Sequence, residues 1–497
     1  MLMMELYIAL FLLSVVTFLS GKNAKVYSLA VSGAFLLIFL FYFSYRYWGL
    51  SAVHGTLQTI PISPAYGFNF SLQSSGLSAV LVVIATFVIF AAIFVSSGNY
   101  SQVFYGLIML TMSGLIGLLL SANLLFFYIF WEVVLVPVYF LIGLYGNRRS
   151  DTVSLKFFVY THIGSVLMLL SFFSLYTYYF YETNGSFSMS ISSLMNPALF
   201  ETMPVFWRGF VFFGLFVAFL VKLPSFPLHS WLPDSYETAP YPVTIVLAGA
   251  LSIMGGYGFF GILLPVVKVI PQGFLLALIV LGIISLIYFS LSAMSQLSMK
   301  RMMAYASAAA MGFVTISFGS GAIELQNSFS PSLYNLAFAG GMYQVLVHGL
   351  IMAMIFSSLY YVTKSTGKEM IGSLGGIFRE APVISSFLLV GLLASLGLPG
   401  MAGFVAEFSV LAGIYGEIGM WILLIIFAML ITASYHIWMA QRTLFGPYNE
   451  VLGNIHDAGA SSSAILTVMM LAIIFLGVFP HSVFELFTNY ASGVVIP

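Results

Sequence analysis

The chain has 497 residues, of which 61% are hydrophobic and only 6% are charged. Soluble domains carry about 25% charged residues, so this composition excludes a soluble protein. Its 15 basic and 15 acidic residues cancel, which gives no reason to expect a nucleic-acid partner. The sequence has no cysteine, which excludes a disulfide, a thiolate-bound iron–sulfur cluster and a cysteine-ligated zinc.

Apolar stretches long enough to cross a bilayer, about 20 residues each, recur along the whole chain. About fourteen are present, at residues 3–20, 26–46, 77–96, 101–120, 122–143, 154–181, 207–224, 243–264, 272–294, 301–320, 336–362, 383–412, 418–443 and 463–488. The longer polar connections lie near 47–76, 182–206 and 444–462. We therefore predict an all-α membrane protein of about fourteen transmembrane helices, forming a single polytopic domain over residues 1–497.

The distribution of basic residues predicts the orientation of these helices. If the N-terminus lies outside, most lysines and arginines fall on the cytoplasmic side, as the positive-inside rule requires. These residues are Lys22, Lys25, Arg148, Arg149, Lys156, Lys300, Arg301, Lys364, Lys368, Arg379 and Arg442. We expect a prokaryotic cell-membrane protein with both termini on the outer side. The N-terminal stretch has no basic segment before it and no clear cleavage site, so we expect a membrane helix there.

Two of the predicted helices carry residues that break helices. Three prolines follow Lys222 within eleven residues, ending at Pro233, and the segment Gly397-Leu-Pro-Gly-Met-Ala-Gly403 interrupts the twelfth stretch. Proline removes a backbone donor and glycine loosens the helix, so we predict discontinuous helices near 222–240 and 397–403. A pair of broken helices about five helices apart predicts two inverted five-helix repeats, at about 101–264 and 272–443.

Three charged residues fall inside apolar stretches, and two of them lie beside these breaks. Glu132 lies near the middle of the stretch 122–143, and no Asp, Glu, Lys or Arg occurs between Tyr47 and Trp131. Lys222 and Glu407 flank the two breaks. Buried charges in membranes are costly and usually serve ion or proton movement. We expect Glu132 and Lys222 to pair and Glu407 to carry protons toward the exit. The alternatives are a static ion pair and a carboxylate that caps the second half-helix.

Histidines and further acids extend this candidate path. His348 lies within an apolar stretch and can relay protons near neutral pH, although a lone buried histidine is often only hydrogen-bonded to a neighbour. His162 lies about two turns inside the sixth predicted helix, and His229, Asp234 and Glu237 lie around the proline-rich break. We predict that these four residues contribute to proton uptake, against the alternative of helix capping and loop hydrogen bonding.

Five sequence blocks resemble the antiporter-like membrane subunits of respiratory complex I. They are Phe130–Ile142, Leu155–Tyr160, Val221–Asp234, Lys300–Tyr305 and Gly397–Phe408, in collinear order within residues 75–445. The resemblance implies fourteen helices, two inverted repeats and a hydrated charge axis at mid-membrane. Glu132, Lys222 and Glu407 match charged positions of that axis, and His348 matches an axis histidine. The resemblance also implies partners in the lipid bilayer, namely L-, N- and small hydrophobic subunits. It places quinone, flavin and iron–sulfur clusters in partner subunits and no cofactor in this chain.

The chain departs from this resemblance at four positions. Ile253 and Ala310 stand where the relatives have a lysine and a histidine, and Ser75 and Ser298 stand where they have acidic residues. Three hypotheses follow: a proton-translocating subunit of a complex I-type enzyme, an Mrp-type cation/proton antiporter subunit, and a structural spacer that has lost transport. An unbroken apolar plug between Lys222 and His348 is the structural signature that the spacer hypothesis predicts.

Overall fold

A computed structural model describes residues 2–47, 54–147, 149–327 and 331–495. Arg148, one of the predicted cytoplasmic arginines, lies outside the described residues. The helices longer than four residues are α1 (Leu2–Val16), α2 (Ala24–Tyr47), α3 (Gly76–Val95), α4 (Gln102–Leu120), α5 (Leu124–Tyr145), α6 (Ser150–Glu182), α8 (Pro197–Thr202), α9 (Val205–Lys222), α10 (Trp231–Thr238), α11 (Tyr241–Val246), α12 (Ser252–Tyr257), α13 (Gln272–Met294), α14 (Met299–Gln326), α15 (Pro331–Thr366), α17 (Pro382–Ser395), α18 (Ala402–Ile418), α19 (Ile422–Thr443), α20 (Ala460–Val478) and α21 (His481–Val495). Two four-residue helices, α7 (Ile191–Leu194) and α16 (Ile377–Glu380), lie in the connections.

The described helices confirm the predicted all-α membrane architecture. Thirteen helical stretches are long and apolar enough to span a membrane, and one of them, Ala402–Thr443, contains the two helices α18 and α19. Separating these two gives the fourteen crossings that the apolar stretches predicted. The half-helices α10 and α17 complete two of these crossings on the other side of a break.

Both predicted breaks are present. Helix α9 ends at Lys222 and α10 begins at Trp231, while α17 ends at Ser395 and α18 begins at Ala402. Gly397 and Gly400 lie in the second break with φ angles of +76° and +91°, which residues other than glycine rarely adopt. The assignment of inverted repeats to residues 101–264 and 272–443 stays a prediction.

The eighth crossing, Tyr241–Val269, is irregular although it is almost entirely buried. Helices α11 and α12 are joined by a π-helical turn at Leu247–Leu251, and a second π-helical turn follows at Gly258–Leu263. Such turns widen a helix and occur frequently at functional sites. Gly249 packs against the backbone carbonyl of Gly349 on α15, so this irregular helix lies directly against the other half of the bundle.

Two elements differ from the predicted stretches. The last apolar stretch, 463–488, is divided at Pro480 into α20 and the amphipathic helix α21, because proline cannot continue the hydrogen bonding of the preceding helix. Phe487 and Tyr490 bury one face of α21 against the bundle, and the Tyr490 hydroxyl donates to the Phe260 carbonyl at 3.2 Å. The connection near 47–76 contains an antiparallel hairpin of β1 (Gln58–Ser63) and β2 (Phe68–Leu72), with Gln58 opposite Leu72.

Candidate functional site

Glu132 lies in α5, five residues before Pro137, and is partly buried. Its Oε2 lies 3.2 Å from Nδ1 of His162 on α6, and its Oε1 is buried with no hydrogen-bond partner among the described residues. The imidazole of His162 stacks on Phe158. The structure thus places His162, and not the expected Lys222, in direct contact with the Glu132 carboxylate. A carboxylate and an imidazole in contact can share and pass a proton.

Lys222 is the last residue of α9, at the mouth of the first break, and is only 2% exposed. Its Nζ has no hydrogen-bond acceptor among the described residues and lies 5.6 Å from the ring centre of Trp131 and 5.7 Å from that of Phe157. The two aromatic faces attract a cation but accept no proton. Glu132 pairs with His162 and not with Lys222. Lys222 is therefore a buried amine with two aromatic faces beside it and no acceptor among the described residues.

A small cavity, here named the Lys222 cavity, lies on the other side of this lysine. Its polar lining is provided by Lys222, Tyr236, Ser252 and Ser307, and its apolar lining includes the π-helical residues Leu247 and Leu251. About 10 Å³ is open to the centre of a water molecule, which is room for about one water with several polar partners. Ser252 lines this cavity, whereas its neighbour Ile253, which replaces the expected lysine, is fully buried and does not.

His348 continues the polar groups beyond the Lys222 cavity. It lies on α15 and is 2% exposed, and its Nε2 is 3.0 Å from the Ser307 hydroxyl. Because Ser307 also lines the Lys222 cavity, Lys222 and His348 are joined by a cavity and a hydroxyl. Lys222 and His348 are therefore not separated by the unbroken apolar plug that the spacer hypothesis predicts.

Glu407 lies in the second turn of α18, just after the second break, and is 6% exposed. Its carboxylate packs directly against Gly397, where an added Cβ would collide with Oε2. A second small cavity, here named the Glu407 cavity, is lined by Glu407, Ala306, Ala309, Ala310, Phe313, Ser395, Leu396, Thr432, Leu286 and Met429. About 10 Å³ of it is open to the centre of a water molecule. Ala310, which replaces the expected histidine, leaves room in this cavity beside the carboxylate.

Gln344 bridges the gap between His348 and the Glu407 cavity. It lies one helical turn before His348 on α15, so both side chains share a face of that helix. Its Nε2 donates to the Ala310 carbonyl at 3.3 Å, and its Oε1 is buried with no hydrogen-bond partner among the described residues. Sequence reasoning missed Gln344, although a glutamine four residues before a buried histidine in an apolar stretch is a visible signal.

An ion-pair network lies at the end of the bundle nearest α10. Asp234 accepts hydrogen bonds from Lys156 at 2.7 Å and from Arg301 at 2.9 Å, and Arg301 also binds Glu237 at 2.8 Å. These contacts tie α10 to α6 and to α14. Three of the residues predicted to serve proton uptake therefore lie in two places: Asp234 and Glu237 in this network, and His162 beside Glu132.

His229, the fourth of these residues, lies apart from the network. It is 9% exposed and packs against the rings of Phe226, Tyr288 and Phe289. Its Nδ1 is buried without a hydrogen-bond partner among the described residues. Within those residues, no group of three or more histidine, aspartate or glutamate side chains could hold a metal ion.

The sequence matches, over residues 121–432, the protein family described as the transmembrane family of NADH:quinone oxidoreductase and Mrp antiporter subunits. The chain belongs to this family. It is 34% identical to F420H2 dehydrogenase subunit M of Methanosarcina mazei over 443 residues, which cover 88% of this chain and 86% of the relative. It is 32% identical to NADH-quinone oxidoreductase subunit M of Rickettsia conorii over 434 residues, covering 86% and 84%.

A solved structure shares the fold of this chain. A chain of respiratory complex I from Thermus thermophilus superimposes with a TM-score of 0.83, covering 99% of this chain and 100% of that chain at 24% identity. At this identity the likeness concerns the fold alone.

Two buried polar residues of this family member were missed by sequence reasoning. Tyr435 and His436 lie on α19, and His436 Nδ1 donates to the Thr432 carbonyl at 2.8 Å, which leaves Nε2 as an acceptor. That Nε2 and the Tyr435 hydroxyl are buried without partners among the described residues. Thr432 lines the Glu407 cavity, so these groups lie beside the end of the path. The only sequence signal was a threonine four residues before a histidine in an apolar stretch.

Proposed function

We propose that this chain is the M-type, proton-translocating membrane-arm subunit of a complex I-type redox enzyme. Two relatives that it resembles over most of its length are M subunits, of an F420H2 dehydrogenase and of an NADH-quinone oxidoreductase. The observation that carries proton transport is the series of titratable groups Glu132, Lys222, His348 and Glu407, of which the last three are buried, with one water-sized cavity at Lys222 and another at Glu407. Buried ionisable groups within membranes are costly and usually serve transport.

The line of groups suggests how protons pass. When Glu132 is ionised, its charge helps to hold the ammonium group of Lys222. When the Glu132 and His162 pair takes up a proton, that attraction is lost and Lys222 releases a proton to water in its cavity. Ser307 then passes it to His348, whose Nε2 it contacts. From there the proton reaches Glu407 through water in the Glu407 cavity, while the Gln344 amide offers hydrogen bonds and carries no proton itself. The Glu132 and His162 pair then gives its proton to the neutral Lys222 amine, and His348 and Glu407 regain their first protonation states when they pass the proton on.

The sequence has no cysteine to hold an iron–sulfur cluster, and we assign the redox chemistry to partner subunits. Quinone, flavin and iron–sulfur clusters are expected there, with L-, N- and small hydrophobic subunits beside this chain in the lipid bilayer. The relatives named above differ in electron donor, F420H2 in one and NADH in the other. The basic-residue distribution supports a prokaryotic cell membrane with both termini outside.

A subunit of an Mrp-type cation/proton antiporter is the second candidate, because the family description includes such subunits. The two candidates differ in their partners. Purification of the intact complex through an affinity tag on this chain, followed by mass spectrometry, separates them. Subunits that bind quinone and iron–sulfur clusters support the first proposal, and antiporter subunits alone support the second.

Replacement of Glu407 with glutamine tests proton transport directly. Glutamine keeps the shape but cannot carry a proton, so we expect the proton flux through this chain to fall at least about 100-fold. The measurement is proton translocation per electron by the purified complex in proteoliposomes. Glu450→Gln, at an exposed loop position, is the matched control. Wild-type proton translocation by an assembled Glu407→Gln complex contradicts the proposal.

A further inference from the structure

A second pair of acidic residues lies at the far end of α14 and α18. Glu324, in the last turn of α14, is 1% exposed, and its Oε2 has no hydrogen-bond partner among the described residues. Glu417, on α18, is partly exposed and directly follows Gly416, which lies beside the Glu324 carboxylate. Gly416 leaves room beside Glu324, since a Cβ at that position would lie 3.3 Å from Oε1. A carboxylate so placed is costly to ionise, and packing alone does not explain it.

One face of α14 runs from the Glu407 cavity to this pair. Ala310, Phe313, Ser317, Ser320 and Glu324 are spaced three or four residues apart, which places them on the same side of the helix. Ala310 and Phe313 line the Glu407 cavity. Ser317 and Ser320 are fully buried, and the Ser320 hydroxyl has no partner among the described residues. The face is thus polar from the cavity onward, although it lies inside the bundle.

The distances along α18 place the pair at a membrane surface. Glu407 and Glu417 are ten residues apart in one helix, which corresponds to about 15 Å at 1.5 Å per residue. This is half of a hydrocarbon core of about 30 Å. Because Glu407 follows a break within the membrane, Glu417 lies near the edge of the bilayer. Arg301 and its ion-pair network occupy the opposite end of α14.

We propose that Glu324, together with Glu417, is the site from which protons leave the path. This deepens the proposed function and rests on it. The acid form of Glu407 gives its proton to water beside Ser317 and Ser320, and the Glu324 carboxylate receives it. Glu324 then gives the proton to Glu417, which passes it to water at the membrane surface. Each carboxylate is regenerated, and the step needs no oxidant or reductant.

The test compares glutamine variants in the assembled complex. Proton release from proteoliposomes is measured per electron for Glu324→Gln, Glu407→Gln and Glu201→Gln, the last being an exposed glutamate control. We expect Glu324→Gln to reduce the flux through this chain by about the same factor as Glu407→Gln. We expect Glu324→Asp, which keeps a titratable carboxyl group, to restore most of the proton flux. If only the length of the side chain mattered, the shorter aspartate would not restore the flux.

The outcomes separate this inference from the proposed function. If Glu324→Gln moves protons as the wild type does while Glu407→Gln does not, the release site is wrong and the proposed function stands. If both variants behave as wild type, the proposed function fails and the release site fails with it. If Glu324→Gln does not assemble, Glu417→Gln decides in the same assay, because its partly exposed side chain makes a folding defect avoidable.

Discussion

Glu407 depends on a glycine that sequence reasoning treated only as a helix breaker. Gly397 has a φ angle of +76° and touches the Glu407 carboxylate. It therefore serves two purposes: it adopts the positive φ angle that the break requires, and it leaves the space that the carboxylate occupies. Gly400 has a φ angle of +91°, but an added Cβ there would meet no atom within 4 Å. The two glycines share a backbone requirement and differ in what surrounds them.

Gly397→Ala should impair proton transport more than Gly400→Ala. Both changes force a side chain into the left-handed region, at about 1–2 kcal/mol, but the first also displaces the Glu407 carboxylate. We expect similar losses of thermal stability in the two purified complexes and a loss of proton translocation only with Gly397→Ala. Equal transport by the two variants would show that the position of the carboxylate is not critical.

Some residues of the candidate proton path could be predicted from the sequence. Glu132, Lys222, His348 and Glu407 stand out as polar groups in apolar stretches. The structure places Lys222 and His348 beside one cavity or its lining serine, and Glu407 beside another cavity. The contact of Glu132 with His162 depends on how α5 packs on α6, and it involves residues 30 positions apart. No local pattern distinguishes it from the expected contact with Lys222. Ser307 and Gln344 escaped notice for the same reason, since single serines and glutamines are common in membrane helices.

At the scale of elements, the half-helix α17 is held at its start by a distant loop. Pro382 begins the helix, and the next two backbone N–H groups, of Val383 and Ile384, donate to the Asp457 carboxylate at 2.7 and 2.9 Å. A carboxylate at a helix N-terminus satisfies free donors and complements the helix dipole. The Ser365 hydroxyl and the His456 backbone exchange two further hydrogen bonds, which fix the same loop to α15.

Asp457→Ala should loosen the start of α17. Loss of a helix-capping side chain typically costs about 1 kcal/mol, which corresponds to about a five-fold increase in local opening. Amide hydrogen exchange of Val383 and Ile384, followed by mass spectrometry, measures this opening. Glu450→Ala, an exposed change in the same loop, is the control. Unchanged exchange in Asp457→Ala relative to that control would show that the loop does not stabilise the half-helix.

The sequence predicted where the helices break because proline and glycine act locally through missing donors and loose backbone. It did not predict α21 as a separate helix, since an apolar stretch continues to residue 488 and a single proline interrupts it. It also did not predict the β1–β2 hairpin, whose strands are short and lie in a polar connection. The two π-helical turns of the eighth crossing pack against α15 and α9, and no periodicity in the sequence predicts them.

At the scale of the whole molecule, α14 and α15 are buried almost throughout and both contact helices from earlier in the chain. Ser307 on α14 and His348 on α15 form the contact that joins the Lys222 cavity to the second half. The substitutions at Ile253 and Ala310 leave this region with fewer titratable groups than the resemblance implies. We therefore expect proton transport to depend more on His348 in this chain than on the matching histidine in a relative whose charged axis is complete.

The central claim is that protons cross from the Lys222 cavity to the Glu407 cavity through His348. The most direct measurement is proton translocation per electron by purified complexes in proteoliposomes, for wild type, His348→Ala and the exposed control His481→Ala. Alanine cannot relay a proton, so the account predicts that His348→Ala loses most of this chain's share while subunit composition and the control remain normal. Wild-type translocation by an assembled His348→Ala complex would contradict the account.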